Sequence, residues 1–249
     1  MIKIGDATLL QGEALTLLRT LGDETVDAIL TDPPYSSGSV HASGRQRSPA
    51  EKYQQTGTKR KYPELLGDNR DQRSFIVWAT LWLAECFRAA RPGAVCMVFT
   101  DWRQLPAITD ALQAAGWLWR GVVPWDKPTS RPSRGEFRKQ CEYVVYAVKG
   151  GFHRVHDRCL PGVYRHKVIA SRKRHLTEKP VPLLIDLLEI TPSDATVLDP
   201  FMGSATTGAA CMATGRKFLG IELSEDYFKV SCARLREMIN ETAPAHARA

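Results

Sequence analysis

Along the chain, short dense apolar runs alternate with stretches in which apolar positions recur every three or four residues. These are the periods of buried strands and amphipathic helices. Apolar runs at Val26 to Thr31, Ala94 to Thr100, Trp117 to Trp125, Tyr143 to Val148, Thr196 to Leu198 and Phe218 to Glu222 predict strands, preceded by a short apolar run at Ala7 to Gln11. Helical spacing predicts helices over 14–21, 75–91, 108–115, 181–190 and 205–213, and Ser224 caps a last helix with Glu225 and Asp226 in its first turn. Gly22, Pro92-Gly93 and Gly116 mark helix ends. Strands alternating with helices predict an α/β fold, a doubly wound, mostly parallel sheet covered on both faces. At 249 residues this is one domain over 1–249.

Two segments break the pattern. Residues 36–72 are polar and too long for an ordinary connection, which predicts a functional loop insertion. Residues 150–175 are basic and lack periodicity. Charge changes the picture here. The chain carries +7, yet residues 36–72 hold +3 and residues 127–175 hold +10, leaving −6 for the rest. Two basic segments on a mildly acidic body point to a polyanionic partner, because each Lys or Arg set against a phosphate releases a condensed counterion.

Other classes fall away. With 43% apolar and 24% charged residues the chain is globular rather than disordered. Its most apolar stretch, Phe75 to Ala84, is well short of the roughly 20 residues that cross a bilayer. With no secretory signal at the N-terminus, the expectation is a cytoplasmic protein with no membrane partner. The six cysteines are scattered without a Cys-x-x-Cys and read as reduced. His153, His156 and Cys159 have metal-ligand side chains at plausible spacing, but Arg154 and Arg158 beside them oppose a cation, so no metal is expected.

The chemistry concentrates at two strand ends. Asp199-Pro-Phe-Met-Gly203-Ser-Ala-Thr-Thr-Gly208 joins a strand to a helix through a glycine-bearing turn, and Glu222 ends the next strand 23 residues after Asp199. An acid about that far beyond a glycine turn reaches a nucleoside ribose in doubly wound sheets. There is no Gly-x-Gly-x-x-Gly and no Gly-Lys dipeptide, and an acid at the turn suits a ligand bearing positive charge rather than a pyrophosphate. Asp32-Pro33-Pro34-Tyr35 closes the strand at Val26 to Thr31, since consecutive prolines cannot continue a ladder.

These two motifs together resemble the DNA amino-methyltransferases that methylate adenine N6 or cytosine N4. Their order, tetrapeptide first and glycine turn last, is similar to the beta class, whose sheet is a circular permutation of the common seven-stranded, Rossmann-like methyltransferase sheet. The resemblance covers most of the chain, including Gly12-Glu13, Pro92-Gly93 with Ala94 to Thr100, and His175-Leu-Thr-Glu-Lys179-Pro180. It implies S-adenosylmethionine as cofactor, S-adenosylhomocysteine as product and double-stranded DNA as substrate. It leaves open a homodimer and a cognate restriction endonuclease.

The resemblance also implies roles. Asp32 and the Pro33 carbonyl would accept the hydrogens of the target amine, with Pro34 completing the turn and Tyr35 stacking on a base flipped out of the duplex. Glu222 would hold the cofactor ribose and Glu13 its adenine amine. Asp199, Lys179 and the turn of Phe201, Met202, Gly203, Ser204, Ala205 and Thr206 would hold its methionine end, with Asp32, His175 and Leu223 completing the pocket. Ala205 departs from the pattern where a second glycine is usual, and its methyl is expected to crowd the cofactor. DNA contacts are expected from Arg45, Arg47, Lys59, Arg60 and Lys61, from Arg134, Arg138 and Lys139, and from Arg172, Lys173 and Arg174, with target recognition in 150–175. Aspartate at the head of the tetrapeptide favours adenine. The alternatives are a cytosine N4 enzyme, a methylase of RNA or of a protein amide, and an inactive DNA-binding subunit.

Overall fold

A computed structural model describes residues 1–35, 70–129, 134–168 and 178–242. Strands β1 (Ile2–Ile4), β2 (Ala7–Gln11), β3 (Val26–Thr31), β4 (Ala90–Thr100), β5 (Leu118–Asp126), β6 (Cys141–Val148), β7 (Tyr164–Arg165), β8 (Thr196–Asp199) and β9 (Lys217–Glu222) form one sheet. Helices α1 (Ala14–Leu18), α2 (Gln72–Ala89), α3 (Leu105–Ala114), α4 (Val181–Leu188), α5 (Thr206–Ala213) and α6 (Glu225–Thr242) cover it. The sheet order is β1-β2-β9-β8-β3-β4-β6-β5-β7. The seven-strand expectation is therefore corrected to nine among the described residues. β1 and β7 are three and two residues long, too short to leave a periodic signal.

β2, β9, β8, β3 and β4 run parallel, β1 and β6 run against them, and β5 with β7 turns back to the common direction. The β5–β6 hairpin makes that edge antiparallel. One face carries a core built with Leu183, Leu187, Ala209, Phe228 and Leu235 of α4, α5 and α6. The other carries Leu18, Phe75, Trp82, Leu83, Ile108 and Leu112 of α1, α2 and α3. Alternate strand residues feed the two cores: in β4, Val95, Met97 and Phe99 face one and Cys96 and Val98 the other.

α2 ends at Ala89, earlier than its apolar pattern predicts. β4 then passes through Pro92-Gly93, with Gly93 at φ 84°. The ring of His153 lies where a Gly93 side chain would stand, so the loop after β6 closes over this point. Trp82 and Trp117 are fully buried, and the Trp117 indole donates to the Leu83 carbonyl at 3.0 Å, tying β5 to α2. The tryptophan-rich helix thus spends its largest side chains on the core, leaving Val77 and Leu81 facing outward.

Connections reverse between β8 and β3. From β3 the chain crosses through α2 to β4 on one side, and from β8 it crosses through α5 to β9 on the other. A crevice opens where such a sheet reverses, at the carboxyl ends of its strands. The two candidate motifs follow those two strands.

Candidate active site

β3 is central, nearly all its residues are buried, and its ladder to β4 stops at Thr31 opposite Val98. Pro33 and Pro34 donate no backbone hydrogen bond, so the chain leaves the sheet with Asp32 just beyond the last paired residue. On β8, Val197 and Leu198 pair with Ala28 and Ile29, which brings Asp199 level with Leu30. The hydroxyl of Thr31 then donates to Asp199 Oδ1 at 2.7 Å, a buried bond between residues 168 positions apart. The tetrapeptide and the glycine turn are neighbours.

Both oxygens of Asp32 are engaged. The Tyr35 hydroxyl donates to Oδ1 at 2.6 Å and the Lys179 ammonium to Oδ2 at 2.6 Å. Lys179, almost fully buried just ahead of α4, also contacts Glu142 Oε2 at 3.2 Å, and Lys127 holds Glu142 Oε1 at 2.8 Å. Burial alone would raise Glu142, but Lys179 and Lys127 hold it down at about 2. For Lys179, burial opposes charge, yet Asp32 and Glu142 outweigh it and keep the ammonium above the usual lysine range. Burial and the charge of Glu142 push Asp32 above the ordinary aspartate range, against the pull of Lys179. Having no second lysine, Asp32 is the more basic of the two carboxylates. Burial and the same two carboxylates raise the Tyr35 phenol and keep it a donor.

The second half of the site is a pair of buried acids. Asp199 accepts from Thr31 and from the Phe201 N–H at 3.1 Å, and burial raises it to about 6. Glu222 accepts the Gly203 N–H at 2.9 Å and the Ser224 N–H at 2.7 Å, and burial raises it to about 7. The Leu223 N–H adds a third backbone bond, which leaves a carboxylate lone pair for a ligand hydroxyl. Two buried carboxylates held near neutrality favour a ligand that brings positive charge. These residues fit S-adenosylmethionine, which carries an ammonium, a sulfonium and a ribose diol.

Family membership now has its geometric basis. Residues 26–233 match the model of the N6/N4 DNA methylases. The chain belongs to this family. It is 31% identical to the protein named "Putative methylase YubD" of Escherichia coli (strain K12), over 91% of this chain and 88% of the relative. It is 27% identical to the type II methyltransferase M.HinfI of Haemophilus influenzae, over 93% and 68%. The fold is that of the M1.HpyAVI complex with S-adenosylmethionine, with a TM-score of 0.66, 23% identity and coverage of 92% and 98%. It is also that of the cytosine-N4-specific PvuII DNA methyltransferase, with a TM-score of 0.72, 17% identity and coverage of 96% and 92%.

Around this cluster the remaining expected residues distribute unevenly. Phe201 packs edgewise on Trp82 and tilted on Trp78 of α2. Met202 is buried, and Ser204 and Thr206 both accept from the Arg234 guanidinium, itself paired with Glu178 at 2.9 Å. Glu13 caps α1, accepting from Leu15 N–H at 3.0 Å and Thr16 N–H at 2.7 Å, and the Gly12 N–H donates to the Glu222 carbonyl, so the cap stands beside Glu222. Leu223 is half-exposed next to it.

Ala205 is corrected. It has no exposed surface and belongs to the core, so its methyl does not project toward a ligand. The cost is in its backbone, which is left-handed at φ 56° and ψ 45°, the conformation in which glycine is free of strain. Arg134, Arg138 and Lys139 lie on the exposed β5–β6 connection, with Lys139 paired to Glu136 at 3.0 Å. Arg45, Arg47, Lys59, Arg60, Lys61, Arg172, Lys173, Arg174 and His175 lie outside the described residues, as does most of the 36–72 insertion. Among the described residues no group of three His, Cys, Asp or Glu side chains could hold a metal ion, and no helix is long and apolar enough to cross a membrane. Sequence reasoning missed Glu142 and Lys127. An acid at the head of an otherwise apolar strand, Cys141 to Val148, was the available signal.

Proposed function

We propose that this methylase transfers a methyl group from S-adenosylmethionine to N6 of adenine in double-stranded DNA, with the target base flipped out of the helix. The observation that supports it is the Thr31–Asp199 bond, which fixes the acceptor carboxylate of Asp32 beside the pair of acids suited to the cofactor. When bound, the cofactor supplies an electrophilic methyl on its sulfonium.

The chain's own residues do the rest by position and charge. Glu222 accepts a ribose hydroxyl, Asp199 faces the cationic methionine end, and the cap at Glu13 stands toward the adenine. An exocyclic amine is a weak nucleophile because its lone pair is delocalised into the ring. Asp32 accepts one of its hydrogens and the Pro33 carbonyl the other, which makes the nitrogen more tetrahedral. Lys179 keeps Asp32 ionised and oriented, and Tyr35 stacks against the base. Arg134, Arg138 and Lys139, with the basic residues of 36–72 and 150–175, make the contacts to DNA.

Adenine is favoured by the aspartate that heads the tetrapeptide. Incubating the protein with S-adenosylmethionine and genomic DNA, followed by nucleoside mass spectrometry, tests the reading. N6-methyladenine is the expected product. N4-methylcytosine would move the substrate to cytosine, and no methylated nucleoside would overturn the assignment. Sequencing the modified DNA gives the recognition site.

A further inference from the structure

The β5–β6 hairpin projects from the carboxyl edge of the sheet. Its strands close at Asp126 opposite Cys141, and the Lys127 N–H donates to the Gln140 carbonyl at 2.9 Å while the Gln140 amide donates to Asp126 at 2.7 Å. Lys127 and Glu142, on either side of this closure, lead through Lys179 to Asp32. The hairpin is therefore anchored in the catalytic ion network.

Beyond that closure stands Phe137, 97% exposed. Among the described residues no other aromatic side chain exceeds Trp102 at 49%. Scattered half-exposed apolar residues are ordinary, but a fully extended phenyl has no packing role in the folded chain. Arg134 and Arg138 near it are exposed cations, Lys139 is paired to the adjoining Glu136 at 3.0 Å, and Gly135, at φ 70°, turns the chain two residues ahead of it. Phe137 lies three positions before the hydrogen-bonded Gln140, so its Cα stays within roughly 11 Å of that closure.

On the reading that the substrate is duplex DNA, a flipped base leaves a gap in the stack that must be filled or collapse. Proteins that unstack DNA insert an apolar wedge, flanked by cations that hold the phosphates. We infer that Phe137 is that wedge, a positioning residue that enters the stack beside the target while Arg134 and Arg138 hold the backbone.

The test compares two substrates carrying the recognition site found by sequencing. One is fully paired, and the other is identical except for an abasic position opposite the target base, where no pairing has to be broken. For Phe137→Ala, kcat/KM should fall at least about tenfold on the paired duplex and return to within about twofold of wild type on the abasic one. Phe137→Leu should keep most of the activity on both. Trp119→Ala, which removes another exposed aromatic at the far end of β5, should change neither. An equal loss on both substrates, or no loss on either, overturns the wedge. If the wild-type protein methylates neither duplex, the DNA reading itself fails and the wedge falls with it.

Discussion

The ammonium of Lys179 lies 2.6 Å from Asp32 and 3.2 Å from Glu142, so one buried cation serves two carboxylates from opposite parts of the chain. Lys179→Met removes that cation while keeping the volume of the stem. Breaking a buried ion pair on one side costs about 3 kcal/mol, and chemical denaturation should show a loss of that order. Asp32 and Glu142 would then face one another with only Lys127 to compensate. The acid limb of the methylation pH profile should therefore move to higher pH, and an unshifted profile would separate Lys179 from the chemistry.

Asp32→Asn should fold, because Lys179 retains Glu142 as its partner. Replacing the acceptor by an amide puts an N–H donor where the amine hydrogens must be accepted. Turnover should fall at least about a hundredfold, with cofactor affinity measured by calorimetry little changed. Retained methylation would break the mechanism.

Asp199 and Glu222, at about 6 and 7, have folded values above their ordinary ones, so their ionisation opposes folding. Their contribution to stability is intact below about pH 4 and is lost as pH rises through 6 and 7. A cation between them reverses this by favouring the ionised forms. The rise in Tm produced by S-adenosylmethionine should therefore be larger at pH 8 than at pH 5.5, measured by thermal unfolding with and without cofactor. Equal rises would remove these acids from the cofactor site.

Relieving Ala205 has two opposed parts. Glycine gains about 1 kcal/mol from the left-handed backbone and gives up a similar amount in chain entropy and a buried methyl. Ala205→Gly should then lie within about 1 kcal/mol of wild type in urea denaturation. Ala205→Val adds β-branching to the same strained conformation in a full core and should cost at least about 2 kcal/mol.

If the β5–β6 connection lies on DNA phosphates, Arg134→Ala combined with Arg138→Ala should reduce the slope of log affinity against log salt by about two. The sequence preference should stay as it was. An unchanged slope takes this connection out of the interface.

By itself the sequence determined the alternation of strands and helices, the two chemically loaded strand ends and the local form of each turn. These are written in neighbouring residues: the double proline that ends β3, the glycine turn after Asp199, the cap at Ser224. It also carried enough family pattern to name the chemistry. Tertiary structure decided what long-range pairing alone can place. The register of β3 against β8 joined Thr31 to Asp199, and the return of β6 against β4 delivered Glu142 to Lys179. Burial made Ala205 a core residue rather than a lining one. Hydrogen bonds and ion pairs of this kind depend on a few ångströms between residues far apart in the chain, and no local period encodes that distance.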